Sequence, residues 1–174
     1  MVTVDSSDFL KINYLQNVIT DTHYDSPDRK GRHSTFIAKI LTDNNVEAKG
    51  IACNEYTAVC IDTNGIASVY GDYPNYPEAA YFIQTNCQLI NNKPENCTPN
   101  LPLNWNLNNS ALRVYKVNGT NNGSNTFDLN NWETGIGGIW QNWYINNGTF
   151  ASNLGNPIDC SIILDDTIND STTT

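Results

Sequence analysis

Basic residues are scarce in this chain: nine Lys and Arg stand against eighteen Asp and Glu, a formal net charge of −9. Binding a phosphate backbone requires clustered cations, so the balance argues against nucleic acid as a partner. Long apolar runs are missing as well. No segment approaches the roughly 20 apolar residues of a membrane-spanning helix. The first residues, Met1-Val2-Thr3-Val4-Asp5, have neither the basic nor the apolar region of a signal peptide, which taken alone leaves the chain in the cytoplasm. With two histidines, no HExxH and no paired CxxC, a transition-metal centre is not expected. No Gly-rich phosphate loop or dinucleotide fingerprint occurs, so no cofactor is expected. Cofactor-free hydrolysis or plain binding remains.

What is abundant is Asn, Thr and Gly, in a chain of 174 residues with 39% hydrophobic and 16% charged residues. This is a polar, loop-rich, β-leaning composition, enough for one domain or part of one. The five cysteines are an odd count. Cys87 and Cys97 bracket a short polar loop, which reads either as a local disulfide in an exported protein or as two free buried thiols. Cys53 and Cys60 lie in strand-like sequence and read as core residues. Asn118-Gly119-Thr120 and Asn147-Gly148-Thr149 match the glycosylation triplet, but in a chain so rich in Asn and Thr they are expected by chance.

Residues 8–16 carry a mixed period that fits a short helix or an extended segment. Residues 17–21 read as a short β-branched strand. From Gly31 the pattern becomes helical, with Phe36, Ile37, Ile40 and Leu41 at three- and four-residue steps, closed by Asp43-Asn44-Asn45. Strands are expected over 46–53 and 57–62. Thr63-Asn64-Gly65 signals a hairpin whose return strand is 66–70. A proline-punctuated aromatic loop, 72–78, precedes a strand over 80–84. Residues 112–117 alternate as a half-buried strand does, and Asn121-Asn122-Gly123 turns the chain towards Thr126 and Leu129. The tail, 165–174, is acidic, Thr-rich and expected to fray.

The chemistry concentrates in two pieces, 21–32 and 50–58. The first places His23 where a strand ends, the position at which ligands collect in open α/β sheets. A neutral imidazole takes a proton from a hydroxyl or thiol most effectively when a carboxylate holds its other nitrogen. Glu55, after the second strand, is the candidate for that carboxylate. Asp21 and Asp25 lie close to His23 in sequence but do not complete a metal site. Arg29 and Arg32 fall at the start of the helix, where cations oppose the macrodipole. They therefore read either as ligand-binding groups or as ion-pair partners of Asp25 and Asp28.

The order Asp21-Thr22-His23-Tyr24, then Arg29-Lys30-Gly31-Arg32, then Gly50-Ile51 through Glu55-Tyr56-Thr57-Ala58 resembles the cyanophycinase family. These are relatives of dipeptidase E, serine peptidases on a class I glutamine amidotransferase-like fold. The resemblance covers about 18–69 and implies hydrolysis of β-aspartyl-arginine bonds through an acyl-enzyme. It implies His23 as general base, Glu55 as its orienting acid, and Asp21, Thr22, Arg29 and Arg32 as substrate-pocket positions. Thr22, Pro27 and Asn54 stand where the family has Gln, Arg and Asp. The family's nucleophilic serine lies upstream of the histidine on a strand-to-helix turn. Here only Ser6 and Ser7 precede the motif, outside any such turn.

The resemblance therefore implies a partial flavodoxin-like α/β domain lacking its N-terminal half. Residues 1–70 would carry His23 and Glu55, 71–164 would form a β-rich extension completing the domain, and 165–174 a disordered tail. The implied partners are a peptide substrate of the β-Asp-Arg type, the missing half of the enzyme and, as an option, a second copy of the chain in a homodimer. The implied location is extracellular or periplasmic. The competing reading is a secreted, non-catalytic β-rich module that binds peptide or glycan through Trp132, Trp140, Trp143 and the Tyr73–Tyr76 loop. In a β-rich region the same tryptophans read more often as core or interface packing.

Overall fold

Two short strands that run the same way, joined by a helix, set the geometry of the molecule. The computed structural model describes residues 12–25 and 28–164. Strand β1 (Val18–Thr22) leads through helix α1 (Lys30–Asn44) to β2 (Lys49–Cys53). The two strands pair in parallel from Val18 opposite Lys49 to Thr22 opposite Cys53. A parallel pair needs a crossover long enough for a helix, and the residues between Thr22 and Lys49 supply it.

Helix α1 forms where the apolar steps at Ile37, Ala38 and Leu41 place one stripe against the sheet, with His33 and Ser34 buried on the same face. Its first N–H groups receive no acid from within the helix. Instead Asp28 Oδ1 accepts from the Lys30 amide at 3.0 Å. The helix ends at Asn45, whose backbone is left-handed at φ 55° and whose N–H bonds to Leu41 O. The Asp-Asn-Asn stop expected from sequence is thus the observed one.

Beyond β2 the described residues are all strand and loop: β3 (Ala58–Ile61), β4 (Ile66–Tyr70), β5 (Ala79–Thr85), β6 (Leu112–Asn118), β7 (Asn125–Asp128), β8 (Gly135–Ile136), β9 (Gly138–Asn146) and β10 (Thr149–Leu154). They form two sheets, ordered β1-β2-β5-β6-β9-β10 and β3-β4-β7-β8. Only β1 and β2 are parallel; every other pairing between these strands is antiparallel. The fold is mixed α/β, mostly strand. The 63–65 hairpin joins β3 to β4 as the turn residues predict. The 121–123 turn does not make a hairpin: it sends β7 into the second sheet, beside β4.

The larger sheet is covered on both faces. Strand β5 alternates Ala79, Tyr81 and Ile83 towards one core with Ala80 and Phe82 towards the other. Burial of every β5 residue explains why its sequence shows a continuous run rather than polar alternation. On one side α1 contributes Ile37 and Leu41, which pack with Trp105 and Trp143. On the other, Val69 and Phe127 of the smaller sheet meet Phe82, Tyr115, Trp132 and Trp140. All three tryptophans of the 132–143 segment are therefore core residues.

Two cysteine expectations are corrected. Cys87 is bonded to Cys160, with Cα atoms 5.3 Å apart, and not to Cys97. The reason is the sheet: Cys87 and Cys160 belong to the core beneath the smaller sheet, whereas Cys97 packs on the α1 side. The return of the chain beside residue 88, where the Leu164 amide donates to Gln88 O at 2.7 Å, brings Cys160 into reach. Cys60 is exposed on the outer face of β3 rather than in the core, and Cys53 is half-buried. Ser6, Ser7, the first part of the ambiguous 8–16 segment, Pro27 and the 165–174 tail lie outside the described residues.

Candidate active site

The parallel pairing of β1 and β2 ends both strands at the same edge, with Thr22 directly across from Cys53. His23 is the first residue beyond β1, and Glu55 is the second beyond β2. Their side chains meet there: His23 Nδ1 lies 2.8 Å from Glu55 Oε1, although 32 positions separate them. An ionised carboxylate only accepts, so Nδ1 is the donor. In the neutral ring this leaves Nε2 as a proton acceptor. The pair is open to solvent, with side chains 61% and 44% exposed. His23 and Tyr56 both hold left-handed backbone, φ 50° and 55°. Each costs of order 1–2 kcal/mol for a residue with a Cβ; one is a member of the pair and the other follows Glu55 directly. Backbone strain of this kind clusters at ligand and catalytic positions.

Thr22, His23, Cys53, Asn54, Glu55, Tyr56 and Thr57 line a cleft of ≈410 Å³. Of the residues expected in a substrate pocket, Thr22 is in this lining and Asp21, Arg29 and Arg32 are not. Asp21 points to the α1 side, where it receives Arg32 Nη2 at 2.5 Å and Arg29 Nη1 at 3.4 Å. Arg29 Nη1 also donates to Thr22 O at 3.2 Å. Burial works to raise the Asp21 carboxyl, but the hydrogen bonds and charge of Arg32, the Thr22 amide and Arg29 outweigh it and hold the group below the usual carboxylate range. The arginines' ion-pair partner is thus Asp21; the acid at 28 pairs with Lys30 instead, at 3.1 Å. The wedge of charge at the head of α1 braces the turn that carries His23.

No family model, curated protein or solved structure matches this chain.

His33, the second histidine, is fully buried on α1, edge-on to Tyr24 at 5.6 Å. Neither ring nitrogen has a partner of good geometry, although the Ile19 backbone lies near. Burial drives its pKa down to about 4, so the ring is neutral. Among the described residues no group of three His, Cys, Asp or Glu side chains is placed to hold a metal ion.

Two features of the cleft were not assigned from sequence. Cys53 places a thiol in its wall, where burial, with a smaller contribution from Asp21, raises the pKa and keeps the group protonated. Tyr56 stacks on Tyr76 with ring centroids 4.7 Å apart, joining the 72–78 loop to the site. The proline-rich aromatic loop was the visible signal for the second; nothing in the local sequence links it to Glu55.

Proposed function

We propose that this chain is the acid–base portion of a cyanophycinase-like serine isopeptidase, with β1, α1 and β2 as its share of a flavodoxin-like, class I glutamine amidotransferase-like domain. The observation that carries this reading is the 2.8 Å contact between His23 Nδ1 and Glu55 Oε1 at the ends of two parallel strands. A serine from polypeptide outside these 174 residues attacks the carbonyl of a β-aspartyl-arginine bond. His23 Nε2 takes the serine proton and passes it to the leaving amine, while Glu55 holds the ring and stabilises the imidazolium. Water then releases the acyl group by the same proton relay.

Among the described residues that line the cleft there is no serine. Cys53 is the nearest alternative nucleophile by type, but a protonated thiol is the weaker one. An extracellular or periplasmic location agrees with the Cys87–Cys160 bond, since disulfides persist in oxidising compartments.

The test is fluorophosphonate labelling of the polypeptide encoded by the whole reading frame, followed by peptide mapping. Label on a serine outside these residues, lost in His23→Ala, is the expected result. Label on Cys53, or none, removes the serine mechanism.

A further inference from the structure

At the other end of the β1–β2 pair, about 13 Å along the strands from the turn that carries His23, lies a second groove. It has a volume of ≈350 Å³, and its lining includes Tyr14, Asn17, Glu47, Lys49 and Trp132. Tyr14, Asn17 and Trp132 all hold left-handed backbone, at φ 69°, 57° and 60°. Strain of this kind collects at ligand positions.

Lys49 enters the groove from the first position of β2, and its Nζ stands 4.6 Å from the centre of the Trp132 ring. The tryptophan is fixed from behind: Gln84 Nε2 donates to Trp132 O, and the Trp132 amide donates to Asp128 O at 2.9 Å. Lys49 is half-buried, and burial pushes its pKa down. The ion pairs among the described residues use His23, Arg29, Lys30, Arg32 and Lys39. Among those residues Lys49 therefore has no carboxylate partner, in a chain with eighteen acids to nine bases.

Its near acids are Glu47 and Glu133, and each is engaged elsewhere. Glu47 Oε1 accepts from Asn92 Nδ2 at 2.7 Å, and Glu133 Oε2 accepts from the Cys160 amide at 3.1 Å. Glu47 and Lys49 are two residues apart and line the same groove, yet they do not pair with each other. The groove thus presents one negative and one positive pole. A bare anion is opposed there by Glu47 and by the net charge of −9, and a bare cation by Lys49. A small molecule carrying both charges meets neither penalty.

We propose that this groove binds a zwitterion, an α-amino acid, with its carboxylate on Lys49 and its ammonium on Glu47. The carboxylate supplies the counter-charge that the half-buried Lys49 ammonium lacks. The site stands apart from the His23–Glu55 cleft, and its occupancy requires no turnover.

The experiment is an NMR titration of the 174-residue chain with L-alanine, propionate and L-alaninamide at constant ionic strength. L-alanine is expected to move the Lys49 side-chain and Trp132 indole resonances saturably. Propionate lacks the ammonium and L-alaninamide lacks the carboxylate, and each is expected to bind about fivefold or more weakly, the range for one partly exposed charge-assisted contact. Lys49→Met keeps an apolar stem over Trp132, and Glu47→Gln keeps an acceptor for Asn92; both are expected to weaken L-alanine by a similar factor. Should Lys49→Met fail to fold, Glu47→Gln, on an exposed side chain, carries the test. No saturable shift, propionate or L-alaninamide binding as tightly as L-alanine, or L-alanine affinity unchanged in either folded variant overturns the site.

Discussion

A Cβ placed on Gly50 would lie 2.5 Å from His33 Nε2 and 2.8 Å from its Cε1. The helix therefore docks on the β1–β2 pair through a histidine ring that fills the space above a glycine. This contact fixes the height of α1, and with it the turn from which His23 projects.

Gly50→Ala is expected to destabilise the protein by about 1–3 kcal/mol, because the ring is boxed in by Tyr24 and cannot yield. The paired variant Gly50→Ala, His33→Ala is expected to lose less than the sum of the two single changes. Urea denaturation of all four proteins measures the coupling; simple additivity would show that the contact is not tight.

His33 also makes the fold acid-sensitive. Its pKa is about 4 in the folded protein against 6.5 when free, so the unfolded chain binds the proton first as pH falls. Stability is complete above pH 6.5 and declines as pH drops towards 4, by about 3 kcal/mol in all. Denaturation curves across that window, compared with those of His33→Leu, isolate the contribution. A wild-type curve that stays flat there would remove it.

Asp21→Asn is expected to cost about 2 kcal/mol, since it leaves Arg29 largely buried without its counter-charge. Arg32→Gln is expected to cost less, about 0.5 kcal/mol, because that side chain is half exposed and screened. Thermal melts rank the two, and the opposite order would show that Asp21 serves something other than bracing the turn.

Removing the Cys87–Cys160 bond frees a loop closed over 73 positions. Cys160→Ser is expected to lower stability by about 4 kcal/mol. Cys97→Ser, at a half-buried free thiol, should lower it by less than about 1 kcal/mol. Mass mapping of the non-reduced protein gives the pairing directly, and a Cys87–Cys97 peptide would refute it.

Local signals in the sequence served well where one element determines its own outcome. The α1 stripe, the Asn45 stop and the 63–65 hairpin are all short-range physics. The same holds for placing His23 and Glu55 at strand ends, since β-branched runs followed by polar residues end strands wherever they occur. Long-range arrangement was not legible. Cys87 and Cys97 are close along the chain but pack on opposite faces of the sheet, and no local pattern distinguishes the faces. The Arg29 and Arg32 pairing with Asp21 depends on which way β1 faces α1. A shift of one residue in that strand would have turned Asp21 away.

The most direct test of the central claim is the release of β-aspartyl-arginine dipeptide from its polymer by the polypeptide encoded by the whole reading frame and by its variants. His23 is well exposed, so His23→Ala should fold normally while lowering kcat by about 10³-fold or more. Glu55→Gln should lower it by about 10²- to 10⁴-fold. Release by the His23→Ala protein at the wild-type rate would contradict the account.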